Sequence, residues 1–198
     1  MKKLIVLFVV IAISASGVTA QVTGGAKVGL NLANFSGDDA DGSDIRPSVH
    51  IGAYLNHPIS ETFSFQPELL YNSVGAKESI DDPDIGELDA TMKLSYLSMP
   101  LMFIYSTGSI NFQAGPQLGF LVGAKAKIEA MGESVEVDVK SEFKDIDLGL
   151  NFGLGGNFGK ANLALRYYLG LSNIADAEDA DLKNSVISLS LGVRLFGE

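Results

Sequence analysis

The 198-residue chain has no cysteine, no tryptophan and only six prolines, and it carries 14 basic residues against 24 acidic ones. Without cysteine there is no disulfide framework, thiolate nucleophile, iron–sulfur cluster or cysteine-ligated zinc, and no N-terminal cysteine to carry a lipid. A net charge of −10 opposes nucleic acid, whose phosphates would be repelled. After residue 20 no stretch reaches the ~18 consecutive apolar residues of a spanning helix. G-x-S-x-G, Walker A and H-E-x-x-H patterns are missing. Gly24 to Asn31 is glycine-spaced, but no helix follows it, so a dinucleotide site is excluded. What the chain does have is 46% hydrophobic residues, too many for disorder.

The first of these form an address. Lys2 and Lys3 precede the apolar run Leu4 to Ile13, and Val18-Thr19-Ala20 places small residues at −3 and −1 of a cleavage site before Gln21. The run is too short for a ~30 Å hydrocarbon core, so residues 1–20 read as a cleaved signal peptide and residues 21–198 as one exported domain.

Eight segments of that domain alternate with period 2: about 24–34, 48–58, 63–73, 93–105, 110–124, 146–158, 161–172 and 185–196. Leu163, Leu165, Tyr167 and Leu169 oppose Asn162, Arg166 and Gly170; Ile187, Leu189, Leu191 and Val193 oppose Ser188, Ser190, Gly192 and Arg194. Each segment is long enough to cross a bilayer as a tilted strand, whereas sandwich strands are usually shorter. The polar parity is rich in Gly, Asn, Gln and Ser, which suits the crowded interior of a small closed barrel. The apolar parity suits lipid. Connections after the second, fourth and sixth segments are tight (59–62, 106–109, 158–161), and the others are long and polar. Short turns on one side and long loops on the other are the habit of outer-membrane barrels. The expected fold is therefore all-β, an eight-stranded antiparallel up-and-down transmembrane barrel, with both termini on the periplasmic side.

Particular strands also resemble the PorT-like outer-membrane β-barrel family of Bacteroidetes. The opening strand Gly25 to Phe35, Tyr96-Leu97-Ser98-Met99-Pro100-Leu101, Gly115-Pro116-Gln117-Leu118-Gly119, Asp147 to Gly155, Arg166 to Ile174 and Leu191 to Leu195 are similar to its strand motifs in order and spacing. The resemblance implies a barrel in the outer membrane of a Gram-negative, Bacteroidetes-like cell. It implies no single activity, and a secretion role does not follow from barrel motifs. One feature departs from the usual ending: Phe196 stands one place out of phase with the lipid-facing Leu195.

Twenty of the 24 acids lie in the long connections, at 35–47, 74–92, 125–145 and 173–184. They read as a solvated surface. Asp38 to Asp44 has the composition of a calcium loop but lacks EF-hand spacing, so no metal site is assigned. Ala126 to Val139 still alternates around Met131 to Ser134 and should extend as a hairpin past the membrane. On the lumen parity the charged residues are Lys27, Glu68, Asp147, Arg166 and Arg194, which should pair with one another. A Ser–His pair for a lipid-A hydrolase would need His50. Its sequence neighbour across one residue, Ser48, is a poor partner, so only a serine from another strand could serve.

These readings lead to an outer-membrane barrel with acidic extracellular loops and a structural or surface-binding, adhesion-like role, without catalysis or cofactor. A narrow solute channel is the alternative, and a lipid-A-modifying enzyme is third. The expected partners are outer-membrane lipid, periplasmic chaperones, the barrel-assembly machinery and an extracellular ligand or protein at the loops. The chain should be a monomer.

Overall fold

The computed structural model describes residues 22–40, 42–82, 86–130, 133–177 and 180–197; the expected signal peptide lies outside them. Ten strands follow in order: β1 (Thr23–Ser36), β2 (Asp44–Pro58), β3 (Phe63–Val74), β4 (Ala76–Asp82), β5 (Gly86–Thr107), β6 (Ile110–Ala130), β7 (Glu133–Asp138), β8 (Ile146–Phe158), β9 (Ala161–Gly170) and β10 (Lys183–Phe196). Eight of them form a ring of antiparallel neighbours, β1-β2-β3-β5-β6-β8-β9-β10. Pairing of β1 with β10, from Gly25↔Arg194 to Ser36↔Lys183, closes it. Closure satisfies the backbone without leaving an edge in hydrocarbon. All eight expected spans are present.

Alternation then sorts the side chains. Leu30, Ile51, Phe112, Leu154, Leu165 and Leu189 stand on the outside, each about half exposed or more, while Lys27, Glu68, Asn151 and Ser190 on the opposite parity are buried. Exposed apolar residues of this number would be a liability in water and are a solvent match in lipid.

The two remaining strands lengthen the outer end. The β6–β7 hairpin occupies the stretch whose alternation continued past the membrane, from Lys125↔Asp138 to Ala130↔Glu133. β4 is an addition to the expected architecture: it pairs with the start of β5, Lys77↔Thr91 to Asp82↔Gly86. The density of acids in 74–92 made that stretch read as loop. Gly75 makes the break between β3 and β4, with φ of 129° and only 2.1 Å between a would-be Cβ and the Met92 carbonyl oxygen.

Two β-bulges shift phase by one residue. Between Ser95↔Gly123 and Tyr96↔Leu121 the residue Val122 is skipped, so Leu121 and Ala124 both face inward. At the β1–β10 seam, Gly24 pairs with Phe196 and Gly25 with Arg194, which skips Leu195. Both Leu195 and Phe196 are therefore exposed, and the Phe196 ring covers Gly24. The apparent phase error of Phe196 in the sequence is corrected by the bulge, and the terminal aromatic joins the outer surface.

Inside, bulky side chains lie over glycines of neighbouring strands. A Cβ on Gly29 would meet His50 at 2.4 Å, one on Gly149 would meet Tyr168 at 2.5 Å, and one on Gly153 would meet Arg166 at 2.7 Å. The outer half of the lumen is filled by an apolar cluster that includes Leu94, Tyr96, Leu121, Tyr168 and Val186. Ile174, from the connection between β9 and β10, is fully buried in it. Asn173 holds that connection inward by accepting from the backbone N–H groups of Ala175 and Leu182 at 3.0 and 3.1 Å.

Candidate functional site

Three of the five lumen charges meet. Glu68 on β3 accepts from Lys27 Nζ of β1 at 2.6 Å and from Arg166 of β9 through two guanidinium nitrogens at 2.9 and 2.7 Å. Gln66 donates to the same carboxylate at 2.7 Å. Arg166 Nε donates to Gln113 Oε1 at 2.7 Å, and Gln113 in turn donates to Asn111 at 2.6 Å. Alternation places each of these residues on the inner face; the ring brings three distant strands to one height. The cluster is almost completely buried. Its charges make good geometry with each other, the condition under which a buried ion pair is tolerated.

The other two charges do not join, which corrects the single five-member network expected from parity. Asp147 sits near the outer end, where Asn184 Nδ2 donates to it at 2.9 Å and Ser172 Oγ at 3.3 Å. Arg194 sits at the opposite end, beside the short turns, and its Nε is buried with no hydrogen-bond partner among the described residues. Parity assigns a face of the strand; it does not assign a height along the barrel axis.

His50 does find a serine on another strand. Its Nε2 lies 2.9 Å from Ser190 Oγ and its Nδ1 lies 2.8 Å from Asn31 Oδ1. This Ser–His–Asn row has the order of a nucleophile, base and orienting group. It is sealed, however: all three residues are 3% exposed or less, and the adjoining cavity of about 20 Å³ has room for a water molecule and not for a lipid. The row ties β1, β2 and β10 together across the seam.

Two mouths flank this plugged lumen. The inner one is a polar cavity of about 290 Å³ lined by Tyr54, Asn56, Asn111, Lys160, Asn162 and Arg194 among others. The outer one is a cleft of about 290 Å³ between Phe35, Ala76, Met92, Lys127 and Leu182. Outside it, Glu136 on β7 bridges Lys125 at 2.6 Å and Lys93 at 3.1 Å. Those two hydrogen bonds hold the Glu136 carboxyl at about 2, and the bond to Glu136 raises the Lys125 ammonium. Among the described residues there is no group of three or more potential metal ligands.

Strand number, closure, an apolar belt and long outer loops define a small outer-membrane β-barrel protein. The chain belongs to the family described as outer membrane protein beta-barrel domain, which matches residues 8–176. It is located in the outer membrane. No curated protein matches it. Among solved structures it is similar to Ail, the attachment invasion locus protein of Yersinia pestis, with 13% identity over 88% of this chain and 99% of that one and a TM-score of 0.53. It is also similar to Neisserial surface protein A, with 12% identity over 87% of this chain and 97% of that one and a TM-score of 0.56. At these identities the likeness is one of fold.

Proposed function

We propose that this barrel is a closed surface-binding protein whose outer loops present an acidic face to a basic extracellular protein. The observation that carries the reading is the division of charge: 20 of 24 acids lie in the long connections, which hold seven of the 14 bases. The lumen meanwhile is blocked twice, by the Glu68 cluster and by the apolar cluster capped by Ile174. Blocking opposes a channel, and the sealed surroundings of Ser190 support a reading without catalysis. The motifs at Tyr96 to Leu101 and Gly115 to Gly119 support a finer kinship with the PorT-like barrels. On this reading the chain is exported by residues 1–20, assembles as a monomer through periplasmic chaperones and the barrel-assembly machinery, and acts only at its outer face.

The test uses cells displaying the full chain and cells displaying a form in which 128–135 is replaced by a short turn. Adhesion to immobilised basic matrix proteins should fall several-fold for the shortened form and with added salt, because the attraction is screened. Planar-bilayer recordings of the intact barrel should show no steady conductance. Equal adhesion by both cells, or a large open conductance, would overturn the reading.

A further inference from the structure

We infer that the inner mouth of the barrel is a binding site for a small hydroxylated anion, a sugar carrying a carboxylate or phosphate. The cavity there, about 290 Å³, opens beside the short turns at 106–109 and 158–161 and is therefore reached from the periplasm. Its volume is at the lower edge of small-ligand pockets, enough for a sugar acid. Two cations, Lys160 and Arg194, line it, and none of its described lining residues is acidic. Arg194 is more than a bystander: its Nε is buried and unpartnered among the described residues. A buried donor of this kind costs stability unless something accepts from it.

The charge behind the cavity has the same sign. Among the described residues, the inner half of the lumen holds Lys27, Arg166 and Arg194 against the single carboxylate Glu68, with Lys160 at the rim. In a low-dielectric tube these charges act over longer range than in water. The rest of the lining supplies what a hydroxylated body needs. Asn56, Asn111, Asn157 and Asn162 carry amides, and Tyr54 offers a phenol that already accepts from Asn162 at 3.1 Å. Each amide both donates and accepts, as sugar hydroxyls do. The ring of strands separates the cavity from the surrounding lipid, which makes the ligand a soluble one. Arg194 is the anion anchor and Lys160 the second charge at the entrance.

The intact barrel in detergent micelles tests this by calorimetric titration and by amide chemical shifts. The probes are glucuronate, glucose 6-phosphate, glucose and inorganic phosphate. Both anionic sugars should bind, with shifts confined to the neighbourhood of Thr23, 157–162 and Arg194. Glucose and inorganic phosphate should each bind at least tenfold more weakly. Arg194→Gln should weaken the anionic sugars at least tenfold, and Lys160→Gln, on an exposed turn and so without risk to folding, about threefold. Glucose binding as well as glucuronate would remove the anion from the proposal. Inorganic phosphate binding as well as glucose 6-phosphate would remove the sugar. Absence of binding by the folded wild type, or unchanged affinity in Lys160→Gln, would overturn it.

Discussion

Glu68 and Arg166 are 98 positions apart in sequence and face each other across the lumen in a two-pronged ion pair, at 2.9 and 2.7 Å. Lys27 completes it from a third strand. Glu68→Gln would leave two buried cations without their counter-charge and should cost about 3–5 kcal/mol. The triple replacement Lys27→Met, Glu68→Leu, Arg166→Met should lose less than that single change, since it leaves no orphan charge. Urea unfolding in micelles measures both; a single change milder than the triple one contradicts the assignment.

Asp147 should behave in the opposite way. It is buried with Asn184 and Ser172 as its hydrogen-bond donors and no cation in reach among the described residues. Asp147→Asn keeps a hydrogen-bonding group there and removes the charge. Stability should stay level or rise, by up to about 1 kcal/mol. The same unfolding measurement decides it, and a loss comparable to that of Glu68→Gln would place a hidden counter-charge beside Asp147.

On the lipid face, Leu165 and Leu189 are partners on β9 and β10 and both are about half exposed. Arginine at either position should cost roughly 2–4 kcal/mol near the midplane. Ser190→Ala, on the other parity, leaves the buried His50 nitrogen without its partner and should cost about 1 kcal/mol. Acyl-chain analysis of lipid A from cells making the wild-type barrel or Ser190→Ala should give the same pattern. The reverse stability ranking would invert inside and outside.

The outer hairpin has its own pH dependence. The Glu136 carboxyl is held at about 2, below the ordinary 4.5, by Lys125 and Lys93. A lowered carboxylate contributes its stability above the ordinary value and loses it as pH falls through the folded one. The ties from Glu136 should therefore persist at pH 4 and go as the pH approaches 2, and salt should weaken them, because these are exposed groups. Carboxyl NMR of Glu136 gives the titration directly; a midpoint near 4.5 would mean that the bridge is not formed in solution.

Period-2 alternation was enough to place all eight spans and their two faces because each strand lies between two different solvents. The same signal could not say which charges meet. Glu68, Asp147 and Arg194 share a parity, yet the stagger of the strands puts them at the middle, outer and inner levels of the lumen. Nor could it show the bulge at Val122, since Leu121 and Val122 are both apolar and a one-residue slip between them leaves no mark. His50 and Ser190 are 140 residues apart, and only closure of β1 on β10 brings them together. β4 was hidden because acids mask its pairing with β5. The inner mouth had one advance signal, Arg194 on the polar parity near a short turn.

The seating of His50 over Gly29, Tyr168 over Gly149 and Arg166 over Gly153 has a consequence for how such a chain can vary. At each of those glycines a Cβ would also come close to a backbone carbonyl oxygen, 2.4 Å from that of Leu189, 2.4 Å from that of Leu169 and 2.6 Å from that of Leu165, and no smaller partner removes that contact. Gly153→Ala should therefore destabilise even beside a shortened side chain at 166. Gly192 is bound differently: the atoms nearest a Cβ there belong to the Asn162 side chain, at 2.5 Å, so Gly192→Ala should be absorbed when residue 162 is made smaller. Where the limit is set by side chains the letters can trade bulk and drift; where it is set by the backbone of the next strand, the glycine has to stay.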